Sequence, residues 1–340
     1  MRQPRSGWLA ALALLAVSIA ATAAVAQTRR HAAVETPIVI KAEPIESFDS
    51  REPARTRFGR LEFRGGLVLT SDDRNFGGIS AIHVAPDGAG LIGVTDQGSW
   101  LSGRIVYRDG RPAGIADARL APLLGANGKP LAARGWYDAE ALAVRDGQIY
   151  VGIERVERIV RFDHRRHGLR ARGAPIPVPA DFKSFPNNKG LECLAAPADG
   201  APHAGQLIAI AERSLDDAGN HRGFRLDGRD TVRFTVRRSD DYDVTDCTIL
   251  PPGDLLLLER HFSMFRGVAM RIRRIPLNAM RDGALADGPA LIEADLGFQI
   301  DNMEAIGLHR NAGGETIVTL MSDDNFSPIQ RTLLLQFALP

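Results

Sequence analysis

Cysteine is scarce in this chain: only Cys193 and Cys247 occur in 340 residues. That excludes a scaffold built on disulfides and allows one bridge at most. No C-x-x-C and no paired H-x-x-x-H occurs, so the usual zinc patterns are missing. Charge of one sign is missing too. Lys and Arg number 42 against 41 Asp and Glu, a formal net charge of +1. No strong field therefore favours nucleic acid or a charged membrane surface as a partner. There is no G-x-S-x-G nucleophile elbow, no P-loop and no dinucleotide fingerprint in a strand–helix context. Any chemistry then falls to carboxylates or a metal.

Long apolar runs are nearly absent. The exception is Trp8 to Ala21, preceded by Arg2 and Arg5 and followed by Ala24-Val25-Ala26. This pattern predicts a secretory signal over residues 1–26 with a small-x-small cleavage site. An uncleaved anchor is the competing reading, but the apolar core is short for a bilayer span of ~20 residues. The mature chain is expected to be periplasmic or secreted, monomeric and without a membrane span. Residues 27–57 form an N-terminal extension and 58–340 the main domain. A hydrophobic share of 44% supports a substantial core.

What is present is repetition. WYDAEALAVRDGQIYVGIERV at 136–156 has two apolar runs flanking an Asp146-Gly147 turn, the signature of a β-hairpin. Relatives lie at 76–98, 188–214, 242–262 and 301–326. Taking Ser80, Glu140, Glu192, Asp246 and Glu304 as landmarks, the spacings are 60, 52, 54 and 58 residues. A multi-strand unit at that period points to a β-propeller. Third strands are predicted at 104–109, 158–163, 223–228, 268–277 and 332–339, with weaker fourth strands at 232–237 and 290–296. The all-β reading has five blades, or six if 36–71 adds a partial blade. The segment 58–71 pairs with the C-terminal blade and closes the ring, removing exposed edges. No helical periodicity is visible in the mature chain.

Each hairpin carries an acid at its open end on both strands. Symmetry about the turns places Glu140 opposite Glu154, Asp246 opposite Glu259, Ser80 opposite Asp96, Glu192 opposite Glu212 and Glu304 opposite Asp323, with a bulge able to shift any pair by one residue. In a propeller the first strand of each blade lines the axis. Glu140, Glu192, Asp246 and Glu304, with Ser80 in the fifth place, then ring one mouth. Asp96, Glu154, Glu212, Glu259 and Asp323 form a wider second ring. Clustered carboxylates need compensation. Arg155, Arg213 and Arg260, each directly after a second-ring acid, can supply it, as can Lys189 before Glu192. So can a bound cation: dense oxygen donors suit calcium, and magnesium less well. The same acid–Arg pairs also fit a structural role, locking neighbouring blades. Asp72-Asp73 and Asp240-Asp241 read as solvated turns, and His261 as a packed or surface residue. Cys193 and Cys247 follow ring acids in adjacent units, either as a disulfide or as buried small residues.

The strings DAEAL (138–142), KGLECL (189–194), LLLLERHF (255–262), DNMEAIGL (301–308) and SDDNFSPIQRTLLLQF (322–337) resemble the phytase-like domain family, "esterase-like activity of phytase". The resemblance spans about 58–340. It implies an exported bacterial β-propeller with phosphodiesterase- or esterase-like activity on its acidic positions, here Glu140, Glu192, Glu304, Glu259, Glu154, Glu212 and Asp323. Ser80 and Asp246 depart from the repeat.

Together these features predict a metal-dependent hydrolase of phosphate esters or other small-molecule esters. Glu140, Glu192, Asp246, Glu304, Asp96 and Asp323 are the candidate ligands of Ca²⁺. Glu154, Glu212 or Glu259 is the candidate base, and Arg155, Arg213 and Arg260 are candidate holders of substrate oxygens. The alternatives are a non-catalytic propeller that binds a protein or envelope ligand, with structural acids, and a sugar-lactone hydrolase.

Overall fold

In LLLL at 255–258, consecutive side chains must leave a strand on opposite faces. In the computed structural model, which describes residues 34–228, 230–264 and 267–340, both faces are buried. Leu255 and Leu257 join one apolar cluster, and Leu256 and Leu258 another. A strand covered on both sides reads as continuously apolar instead of alternating. The secretory signal expected over 1–26 lies outside the described residues.

The strands form five sheets. Each is a blade whose inner strand starts a hairpin predicted from sequence: Ile79–Val84, Ala139–Arg145, Leu191–Ala195, Asp243–Leu250 and Met303–Arg310. Successive inner strands touch, and the last touches the first. Five hydrophobic clusters fill the five blade–blade junctions. Burial of both sheet faces across these junctions is the main stabilising term. One four-residue α-helix, His164–His167, is present among the described residues.

The ring closes as expected: Leu61–Thr70 pairs antiparallel with Thr332–Leu339 and carries Lys41–Ile45 on its other edge. Residues 36–71 do not make a sixth blade. Thr36–Pro37 extends the edge of blade one, and the other strands complete blade five. Among the described residues no helix is long and apolar enough to cross a membrane.

Candidate functional site

Every inner strand carries a bulge near its start, where one extra residue interrupts the register. The skipped residues are Ser80, Glu140, Glu192, Thr245 and Glu304. A bulge re-aims a side chain that the strand pleat would otherwise place on a blade face. The bulges therefore define one ring of equivalent positions. Four members are those expected; in blade four the member is Thr245 instead of Asp246.

The second strands end at the same level. Asp96, Glu154, Glu212 and Asp323 each donate their backbone N–H to the residue two before the bulge: Gly78, Asp138, Gly190 and Asn302. In blade four the equivalent partner is Asp243, and the residue facing it is Arg260. Glu259 instead pairs with Val244, one step back, so its side chain leaves the opposite side of the strand. It is fully buried and held by Arg271 at 2.8 Å and Arg273 at 2.6 Å. The placement of Asp246 and Glu259 in the two rings is thus corrected: a one-residue bulge displaces both. Asp246 is buried, and its carboxylate accepts the N–H groups of Cys247 (2.7 Å) and Ile306 (2.8 Å).

Glu154, Glu192 and Glu212 come together, with one oxygen from each lying within 4.8 Å of the others. Glu154 accepts the N–H of Gly190 at 2.5 Å, and Glu212 accepts Lys189 Nζ at 2.9 Å. Gly190 leaves room there for the Glu157 carboxylate, whose Oε1 a Cβ would meet at 2.2 Å. Gly78, at φ +62°, makes the same room for Asp96, which a Cβ would meet at 2.2 Å. Glu304 pairs with Arg260 at 2.6 Å, and Arg260 also donates to Asn302. Glu140 lies beside Ser80 and faces Asp138, Glu154 and Asp96, while Asp323 faces Asp96 and Glu304. Arg213 leaves the triad to bind Asp243 at 2.7 Å. Arg155 is exposed and lies over the Tyr137 ring.

Burial raises all of these acids. Glu140 and Glu192 stand well above the usual carboxylate range because of burial, reinforced by neighbouring carboxylates. Burial also takes Asp323 well above it, with Asp96 adding. Asp96 is pushed up to about 7 by burial, with Asp138 adding, and Glu154 to about 7 by burial against the opposing Gly190 N–H. In Glu304 burial outweighs the lowering by Arg260, and in Glu212 it outweighs Lys189. Such acids require a proton or a cation. One oxygen of Asp96 is buried without a hydrogen-bond partner. An all-oxygen donor set fits a hard cation.

Three further residues at the mouth escaped the sequence reading: Asp138, Thr245 and Glu157. Glu157 is pushed up to about 8 by burial, with Glu154 adding. Asp138 could have been found from its place two residues before a ring acid. Thr245 carried no signal, because it stands beside an acid that looked like the repeat. Cys193 and Cys247 form a disulfide between the inner strands of blades three and four.

A family model described as "Phytase-like: Esterase-like activity of phytase" matches residues 74–326. The chain belongs to this family. No curated protein matches it. The phytase-like chain is similar to two solved structures at 12% identity. Glutaminyl cyclase from Myxococcus xanthus has a TM-score of 0.39, with 78% of this chain and 92% of that chain covered. The PQQ-bound aldose sugar dehydrogenase from Streptomyces coelicolor has a TM-score of 0.37, with 90% and 99% covered. The match places the phytase-like propeller's bulge ring and its triad within the family's span.

Proposed function

We propose that this protein is an exported, metal-dependent hydrolase of phosphate esters or other small-molecule esters. The observation that carries the reading is the buried Glu154–Glu192–Glu212 triad, in which Lys189 is the cation in hydrogen-bond contact among the described residues, with Arg260 acting on Glu212 from further off. These three residues would hold Ca²⁺. When bound, such an ion would supply Lewis-acid polarisation of a phosphoryl or carbonyl oxygen. Arg260, held by Glu304 and Asn302 and close to Glu212 and Glu192, donates to the charge that develops on the substrate oxygens. Asp96, raised to about 7, takes the proton from the attacking water, since a base is most effective when its pKa lies near the working pH. Glu259, buried under two arginines, takes no part. A second reading, a non-catalytic binding propeller, draws on that saturated Glu259 cluster, where acids serve structure alone.

The test is turnover of aryl phosphate monoesters, diesters and short aryl esters with calcium or with EDTA. Activity should need calcium, fall by about 100-fold or more in Glu192→Gln, and fall similarly in Arg260→Met. No turnover by the calcium-loaded protein, with a thermal midpoint indifferent to EDTA, would favour the binding propeller.

A further inference from the structure

Two of the five junctions between inner strands carry a staple, and they use equivalent positions. Between blades three and four, the residue after the Glu192 bulge, Cys193, is bonded to the second residue after the Thr245 bulge, Cys247, with Cα atoms 5.1 Å apart. Between blades four and five, the residue after the Thr245 bulge is Asp246. It accepts the N–H of Ile306, the second residue after the Glu304 bulge, at 2.8 Å. Its other oxygen accepts the N–H of Cys247. Cys247 thus takes part in both staples, through its sulfur and its amide. The other three junctions have Ala81, Ala141 and Ala305 at the first position, whose side chains offer no donor, acceptor or sulfur.

The stapled arc contains Glu192, Thr245 and Glu304 in sequence around the mouth, and it is also tied by Thr245 Oγ1, which donates to the Met303 carbonyl at 3.2 Å. Arg260 is anchored on this arc through Glu304. A carboxylate with two backbone N–H donors and no cation is costly to bury. A small residue serves at the same position in the other blades, so packing alone does not call for an acid.

We propose that Asp246 is a positioning residue and the hydrogen-bonded counterpart of the Cys193–Cys247 bridge. The two staples together set the spacing of Glu192, Thr245 and Glu304, and with it the place of Arg260 beside Glu212 and Glu192 of the triad. The proposal rests on the calcium reading for its affinity measurement and is independent of it for its exchange measurement.

The experiment uses the mature protein, calcium titration by calorimetry and amide hydrogen exchange. Asp246→Ala is expected to weaken calcium binding by about 10-fold, the low end of what the loss of a group supporting a metal site costs, since it touches no ligand and acts through the inner strands that it joins. It should also speed exchange across Met303–Arg310 while leaving Ile79–Val84 protected. The double variant Asp246→Cys/Ile306→Cys copies the natural bridge one blade further on. It should lose its free thiols on oxidation and regain near-parental calcium affinity without any carboxylate. A fully oxidised double variant that binds calcium as poorly as Asp246→Ala would mean the carboxylate itself meets the ligand, and would overturn the proposal. Thiols that do not pair, or unchanged exchange across Met303–Arg310 in Asp246→Ala, would overturn it as well. If the parent protein binds no calcium, the metal reading falls alone, and the exchange result still decides the staple.

Discussion

Blade four and the arc of blades two and three treat the same problem in opposite ways. Each buries acids at the open end of a hairpin. In blade four, Glu259 is turned away from the mouth and neutralised by Arg271 and Arg273, and the ring positions pass to Thr245 and Arg260. In blades two and three, Glu140, Glu154, Glu192 and Glu212 face one another with Lys189 as the cation in contact. A satisfied buried ion cluster is architecture. An unsatisfied one stores a demand for protons or a cation, which a site can use. The contrast teaches that acid–Arg proximity in sequence does not distinguish the two cases; the face of the strand does.

The sharpest break of this comparison is Glu259→Ala. It removes the buried acid that two buried guanidinium groups share, leaving them partly exposed acids such as Asp287 and Asp240, and should cost about 3 kcal/mol of stability, read by urea unfolding. A cost under about 1 kcal/mol would deny the cluster its structural role. Next comes the bridge that joins the two regions. Cys193→Ser/Cys247→Ser opens a link with a sequence separation of 54 residues and should lower stability by about 2–4 kcal/mol.

A pH titration sharpens the contrast without mutation. The triad acids and Asp96 have folded pKa values above their unfolded ones, so the folded state binds more protons. Their contribution is fully present below about 4, near the unfolded carboxylate value. It is lost as pH rises through about 7, where Asp96 and Glu154 titrate. The cation-free thermal midpoint should therefore fall between pH 5 and 8. Calcium should reverse the trend, because it binds the deprotonated acids. A midpoint that is flat with pH and unmoved by calcium would remove the distinction between the arcs. The smallest effect is expected from Glu192→Gln. At pH 8 without calcium it should raise the thermal midpoint, because it removes a buried acid that burial and neighbouring carboxylates disfavour in its charged form, while abolishing the thermal shift that calcium produces. Destabilisation there would show that Glu192 is already satisfied.

Much of the architecture was legible in the residues. Turns such as Asp146-Gly147 and the apolar runs beside them marked the hairpins, and their period of 52–60 residues marked the blades. RIVRF at 158–162 and TLLLQFAL at 332–339 fall where third strands were expected. Glu154, Glu192 and Glu212 were expected at one mouth because their blades repeat the same offset, but in two separate rings, Glu192 as a metal ligand and Glu154 and Glu212 as candidate bases; their close approach was not legible. Asp246 and Glu259 were misplaced because their offset looks the same in sequence while the bulge falls one residue earlier. Arg213 and Arg155 were linked to the mouth by adjacency alone; Arg213 follows Glu212 in a strand, where neighbours point to opposite faces, and binds Asp243 instead, while Arg155 lies in the 3-10 turn Glu154–Val156 and turns to the Tyr137 ring.

By itself, the sequence determined an all-β ring of five repeated hairpins with acids at one end, since strand periodicity and turn chemistry are local properties of the chain. Tertiary structure alone decided which acids share the mouth and which are sealed beneath arginines. Side chains alternate with a period of two, so a single extra residue in a strand reverses the direction of those beyond it. Where that residue falls is set by how neighbouring blades pack.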